Sequence, residues 1–324
     1  MLYGRSNNDH APLRRLRGLP ARAVVATGIA EESGQFSILA GEAEIVATIL
    51  ISGASKGIGR ATALHLDAKG FTVIAGVRSE ADGESLRRDS SPRLRTVMLD
   101  ITDGAQILAA CRTVKEVVGD AGLDGLVNNA GIAVPGPLEF IPIEEFRRQI
   151  EVNLTGQLAL TQAMLELLRT AKGRIVNISS VGGKIAGPML GAYHASKFAI
   201  EAITDTLRQE LAPWKIHVVS IEPGAVATPI WEAGARTADR LMGQMPARAL
   251  ELYGDAVSRT RAGAERSAKT GIPPERVARI VEEALTARRP RTRYPVGMDG
   301  KIGARLIARL PDRMRDRILS SRPG

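Results

Sequence analysis

Cysteine, histidine and aromatic side chains are all scarce in this chain. Cys111 is the single cysteine, so no intramolecular disulfide can form. His10, His65, His194 and His217 are scattered, and without a CxxC or a His/Cys cluster at ligand spacing no protein metal site is expected. Aromatic residues make up 3% of the sequence, which argues against stacking platforms for bases or sugars. No apolar run approaches the ~18 residues that a membrane span requires, so a soluble protein is expected, and the single cysteine fits a reducing cytoplasm. What is present is ordinary: 44% apolar and 24% charged residues in 324, enough for one large α/β domain or two smaller ones.

The formal charge of +9 is unevenly spread. From Arg288 to Gly324 eleven Lys and Arg face only Asp299, Asp312 and Asp316, so the rest of the chain is near neutral and no nucleic-acid face is indicated. Within the tail, 299–324, apolar Ile302, Leu306, Ile307, Leu310, Met314, Ile318 and Leu319 recur at near-helical spacing between arginines. Such a segment is expected to pack on its own domain or a neighbouring subunit, contact with an anionic membrane surface being the less favoured reading. Residues 1–45 mix Arg5, Arg14, Arg15, Arg17 and Arg22 with Gly and Pro and show no sustained period. They are expected to be a disordered extension, or sequence read from too early a start, and Asp9 argues against a targeting peptide. The folded chain is expected from Val46.

Beyond that point the pattern alternates. Apolar, β-branched runs at 47–52, 72–77, 94–99, 123–128, 174–179 and 216–221 read as buried strands, separated by helical stretches at 58–69, 104–118, 143–170, 192–212 and 274–287. Strand followed by helix, repeated, implies βαβ crossovers. The expected fold is α/β, a Rossmann-like doubly wound parallel sheet in a single domain spanning 46–298.

The first of these strands runs into "SGASKGIG". Gly53, Gly57 and Gly59 form GxxxGxG, and with Ser55, Lys56 and Ile58 they occupy a turn where backbone can approach a pyrophosphate at a helix N-terminus. At the tip of the second strand stand Val77 and Arg78, with no carboxylate at the position that would hold a ribose 2′-hydroxyl. Arg78 and Lys56 therefore favour NADP(H) over NAD(H), although Glu80 lies two residues further on. Downstream, "AYHASK" places Tyr193 and Lys197 four apart, on one helical face.

Taken together, these motifs resemble the short-chain dehydrogenase/reductase family over about 46–295, most nearly its steroid- and retinol-type members. "SGASKGIG" matches the family's TGxxxGIG apart from Ser52; "LDIT" supplies Asp100 and Ile101; "NNAG" supplies Asn129, Ala130 and Gly131. Asn153 stands at the family's helix asparagine, Ser180 precedes Tyr193 by thirteen residues, and "EPGAVAT" carries Pro223, Gly224 and Thr228. The resemblance implies that Asp100 meets the adenine amino group and that 223–228 meets the nicotinamide.

It also implies a reaction in which Tyr193 exchanges a proton with a secondary alcohol or a carbonyl, Ser180 bonds the reacting oxygen, and Lys197 tunes Tyr193 and binds ribose. Asn153 is implied to hold a water in a proton relay. A Tyr hydroxyl normally titrates near 10, and the Lys197 ammonium together with the positive charge of an oxidised nicotinamide is expected to lower it. The substrate is expected to be a small lipophilic alcohol or carbonyl compound chosen by about 230–270, a stretch containing Met242, Met245, Leu250, Leu252 and Tyr253 that reads equally as a mobile, partly helical lid with an apolar inner side or as plain packing of helices on the core. A homodimer or homotetramer through 143–170 and 192–212 is implied by the resemblance. Two other readings compete: a cofactor-binding regulatory or scaffold protein without turnover, and a nucleotide-sugar epimerase or dehydratase. Retention of Ser180, Tyr193 and Lys197 disfavours the first, and GxxxGxG in place of GxxGxxG the second.

Overall fold

The computed structural model describes residues 24–32, 35–43, 47–297 and 304–321. Inside the N-terminal run expected to be disordered, β1 (Val24–Glu32) and β2 (Gln35–Ala43) instead pair as an antiparallel hairpin with Ile29 opposite Ile38. Val, Thr, Ile and Phe in these two segments favour extended backbone even without a regular period.

A seven-stranded sheet forms the body of the protein. Its strands are β3 (Thr48–Ile51), β4 (Thr72–Val77), β5 (Leu94–Met98), β6 (Gly125–Asn128), β7 (Arg174–Ile178), β8 (His217–Pro223) and β9 (Arg293–Val296). All neighbouring pairs are parallel, in the order β5-β4-β3-β6-β7-β8-β9. The order reverses at β3, which has β4 on one side and β6 on the other, so a crevice opens beyond the carboxyl ends of β3 and β6.

Both sheet faces are covered, which is why the central strands read as unbroken apolar runs. Side chains alternate across the sheet. Ile49 and Ile51 pack with Leu66 of α1 (Gly57–Ala68), Leu86 of α2 (Glu80–Arg88) and Val277 and Val281 of α9 (Pro274–Thr286). On the other face, Leu50, Leu126 and Ile175 pack with Val114 of α3 (Gly104–Val118) and Leu160 and Met164 of α5 (Gly156–Ala171).

Three elements depart from the pattern read in the sequence. The single helix expected over 143–170 is α4 (Ile143–Ile150), a π-helical turn at Glu151–Thr155 and then α5. Helix α2 was not anticipated, being short and highly polar; Ser79 caps it by accepting from the Asp82 amide at 3.2 Å. Strand β9 was also missed. It lies at the sheet edge, where Pro295 costs no ladder bond that matters.

The remaining described helices are α6 (Gly191–Glu210), α7 (Ile230–Met242), α8 (Ala247–Thr270), α10 (Ala304–Ile307) and α11 (Asp312–Ser321). In the tail Ile307 is buried while Leu306 and Met314 are exposed; Ile302 lies outside the described residues. Among the described residues no helix is long and apolar enough to cross a membrane.

Candidate functional site

The turn after β3 has the geometry of a phosphate cradle. Gly53 adopts φ +64°, a region that L side chains rarely enter. Gly59 is required by proximity: a Cβ there would lie 2.2 Å from the Gly53 carbonyl oxygen and 2.4 Å from Asn129 Nδ2. The helix that follows begins at Lys56 with no side-chain cap and no acidic residue in its first turn, whereas Ser79 and Asp103 cap α2 and α3. Its leading amides and positive dipole end are thus left for an anion. These features fit a dinucleotide pyrophosphate. Ser55 borders the same turn, while Ile58 packs against the core.

The end of β6 is locked to this turn. Ser52 Oγ accepts from the amides of Asn129 and Ala130, both at 3.1 Å, and Asn129 Nδ2 donates to the carbonyls of Ser52 (3.0 Å) and Gly53 (2.9 Å). The hydroxyl kept at Ser52 therefore serves as a clamp between the two loops. Gly131 follows, with Asn153 Oδ1 3.5 Å from where its Cβ would stand.

Arg78 and Lys56 are exposed and make no ion pair among the described residues. Glu80, the competing carboxylate, is bound to Arg87 of its own helix. Asp100 spends Oδ1 on the Thr102 amide (2.9 Å) and hydroxyl (2.7 Å), and Ile101 is buried.

Ser180, Tyr193 and Lys197 converge at the carboxyl end of β7. Ser180 leads out of the strand and its Oγ accepts from the Gly182 amide at 3.0 Å. Helix α6 presents Tyr193 and, one turn on, Lys197, whose Nζ donates to the Ile178 carbonyl at 2.8 Å and lies 5.8 Å from the Tyr193 ring centroid. The expected lowering of Tyr193 by Lys197 is not what these side chains produce. Burial pushes the phenol up, opposed by the Ser180 hydroxyl, and burial brings Lys197 down to about 8, opposed by the charge of Glu201. Two groups that lose water together are each driven towards their neutral forms.

Lys197 has a consequence for stability. Between about 8 and 10.5 the unfolded chain keeps this proton and the folded chain has released it, so raising the pH through that window favours the fold. The Tm of the parent is expected to rise relative to that of Lys197→Met from pH 8 to 10 in thermal melts. A constant difference would remove Lys197 as the titrating group.

Asn153 occupies the π-helical turn, fully buried. Its Oδ1 accepts from the Ile132 amide (2.9 Å), and Nδ2 donates to the Ile132 carbonyl (3.0 Å) and to Ser196 Oγ (3.1 Å). Both amide hydrogens are engaged, so a water on this side chain has only Oδ1 left to meet. Gln149 and Gln157 hold the same loop, bonding Ile132 and Val134, and Ala130, respectively. Neither belongs to a motif legible in the sequence. Amides in otherwise apolar packing positions were the available signal.

The family model described as short chain dehydrogenase matches residues 47–239. The chain belongs to the short-chain dehydrogenase family. It is an oxidoreductase acting on CH–OH groups with NAD(P). Retinol dehydrogenase 5 of Mus musculus is 41% identical over 280 residues, covering 85% of this chain and 88% of that protein. The 17-beta-hydroxysteroid dehydrogenase type 6 of Bos taurus is 40% identical, covering 84% and 87%. Among solved structures, a short chain dehydrogenase from Burkholderia cenocepacia J2315 in complex with NADP superposes with a TM-score of 0.64 at 25% identity, covering 86% and 98%.

In this short-chain dehydrogenase the segment after β8 closes the cradle. Pro223 ends the strand, the Gly224 amide donates to Val296, and Thr228 stands against Gly57, whose Cβ would fall 3.1 Å from the threonine Cβ. The expected lid is more helical than anticipated, α7 and α8 covering nearly all of it. Leu250 and Leu252 are exposed and do not belong to an inner apolar side. Ala249, next to them in the same helix, is buried. Met245 does reach inward, its methyl 3.7 Å from where a Cβ on Gly136 would lie, beside Ile141. Tyr253 donates to Glu139 at 2.7 Å and packs edge-on to Phe140.

Proposed function

We propose that this short-chain dehydrogenase interconverts a lipophilic secondary or retinoid-type alcohol and its carbonyl form, with NADP(H) preferred to NAD(H). The observation that carries the reaction is the meeting of Ser180, Tyr193 and Lys197 at the carboxyl end of β7, in the sheet whose β3 runs into the uncapped start of α1. A bound nicotinamide cofactor supplies the hydride transfer.

Tyr193 holds the exchangeable proton at Oη, giving it to a carbonyl oxygen or receiving it from an alcohol. Its raised proton affinity in the bare site suits it to remain a phenol until a further positive charge enters the site. Ser180 donates to the same oxygen and stabilises charge developing there. Lys197, held by the Ile178 carbonyl, presents an ammonium for ribose hydroxyls and for Tyr193. Asn153 positions α6 and the 130–134 loop through Ser196 and Ile132. Asp100 keeps Oδ2 for the adenine amino group, and Asn129, Ala130, Gly131, Pro223, Gly224 and Thr228 form the walls of the dinucleotide crevice.

Support for the substrate class comes from the retinol and hydroxysteroid dehydrogenase relatives and from the apolar contacts of Met245, Ile141 and Gly136 under α7 and α8. Support for NADP(H) comes from the free cations Arg78 and Lys56 and from the engagement of Glu80 by Arg87. Steady-state assays with a retinoid and a steroid alcohol, each with both cofactors, test the reading. Arg78→Ala is expected to reduce the NADP(H):NAD(H) preference by ~10-fold or more, the scale of a charge-assisted hydrogen bond. An unchanged ratio would remove Arg78 as the phosphate anchor, and turnover confined to small polar alcohols would sink the lipophilic assignment.

A further inference from the structure

Beneath the site lies a cluster of charges that the acid/base chemistry does not use. Glu201 stands one helical turn beyond Lys197 with its side chain 6% exposed, and Glu222, immediately before Pro223, is 4% exposed. Lys184, four residues after Ser180, places Nζ 2.7 Å from Glu201 Oε2 and 3.5 Å from Glu222 Oε1. Arg293 of β9 donates Nε to Glu201 Oε2 at 3.0 Å, lies 3.3 Å from Glu222 Oε1, and reaches Asp205 at 2.6 Å. Ser220 of β8 donates to the other oxygen of Glu201, and Asp205 is shared with Arg208.

Burying carboxylates this completely is costly unless each is paired, and apolar side chains of similar volume often stabilise as well or better. Stability is therefore a weak account of the cluster. Its placement is more telling. Lys184 belongs to the turn that follows Ser180, Glu201 to the helix of Tyr193 and Lys197, Glu222 to the strand that leads into Pro223 and Gly224, and Arg293 to the edge strand behind them. The turn meets α6 where His194 Nδ1 bonds the Gly182 carbonyl at 3.0 Å and meets β8 where the Ser179 amide donates to Ile221 at 2.8 Å; the Lys184 ammonium adds the link from its far end to both carboxylates.

We propose that Lys184, Glu201, Glu222 and Arg293 form a clasp that sets the position of Ser180 relative to Tyr193, with Lys184 as its positioning residue. The inference rests on the Ser180/Tyr193/Lys197 reading above. A displacement of ~1 Å at a reacting group can cost ~10²-fold in rate, so partial loosening has a measurable effect.

The test compares Lys184→Met, Lys184→Arg and Tyr193→Phe in the full chain, with kcat, cofactor KM and thermal stability measured for each. Lys184→Met is expected to lower kcat by about 10-fold with cofactor KM changed less than ~2-fold, and Lys184→Arg to bring kcat back to within ~3-fold of the parent. A folded Lys184→Met with parental kcat overturns the clasp, as does an equal loss in Lys184→Arg. Should Lys184→Met not fold, Ser220→Ala removes one neutral bond to Glu201 instead. A fall in its kcat of ~3-fold supports the clasp, and an unchanged value overturns it. The two readings separate cleanly: an active Tyr193→Phe brings down the site assignment, whereas an inactive Tyr193→Phe beside a parental Lys184→Met brings down the clasp alone.

Discussion

Tyr193→Phe is expected to lower kcat by between about 10² and 10⁴-fold, the usual range for removing a positioned proton donor or acceptor, with cofactor Kd within ~2-fold of the parent. The phenol is the one group at the site that can both hold a proton near neutral pH and lie against Ser180. Phenylalanine keeps the ring and its edge-on packing with His194, whose centroid lies 5.9 Å away, so the helix start should not move. Ser180 and Lys197 remain, which is why the loss should be large without being total. Stopped-flow or steady-state turnover, with cofactor fluorescence titrated in parallel, checks both halves. A kcat within 10-fold of the parent would mean that the proton travels by another group.

Gly59→Ala is expected to have the largest effect on cofactor binding. The added methyl would meet the Gly53 carbonyl at 2.2 Å and the Asn129 amide at 2.4 Å, and both are fixed parts of the cradle. Asn129 Nδ2 is itself bonded to the carbonyls of Ser52 and Gly53, so neither partner can yield without breaking the clamp between β3 and β6. Overpacking of this kind costs about 1–3 kcal/mol, and at ~2–4 °C per kcal/mol in a domain of this size the Tm should fall by several degrees. Cofactor affinity should fall by ~100-fold or more, because the amides at the start of α1 move with Gly59. Gly254→Ala is the control: its Cβ would meet nothing within 4 Å, and alanine inside α8 should leave the Tm unchanged or raise it slightly. Equal behaviour of the two variants would show that the contact at Gly59 does not matter.

The alternation of apolar runs with amphipathic ones makes the parallel sheet legible in the sequence, because a strand covered on both faces has no polar side to show. The GxxxGxG turn was legible for a related reason: backbone that passes so close to its neighbour admits only glycine, and that requirement is written in residue type. Helix α2 and strand β9 were not legible. One is held by a Ser79 cap and polar pairs, and the other, with Pro295 at its edge position, is four residues long, too short for the alternation of Tyr294 and Val296 to stand out.

The residue pattern by itself pointed to the fold class and to a glycine cradle, each a local pattern of a few neighbouring positions, while Tyr193 as the candidate proton donor was implied by the family resemblance of several motifs taken together. Only the tertiary structure decided how Asn153 is used, that burial raises Tyr193 where a neighbouring charge was expected to lower it, that Leu250 and Leu252 face outward, and that Lys184, Glu201, Glu222 and Arg293 meet. Each of these depends on contacts between segments far apart in the chain, and on the removal of water that those contacts bring about. Burial and pairing set the energy of a charge or an amide, and neither is a property of its position in sequence.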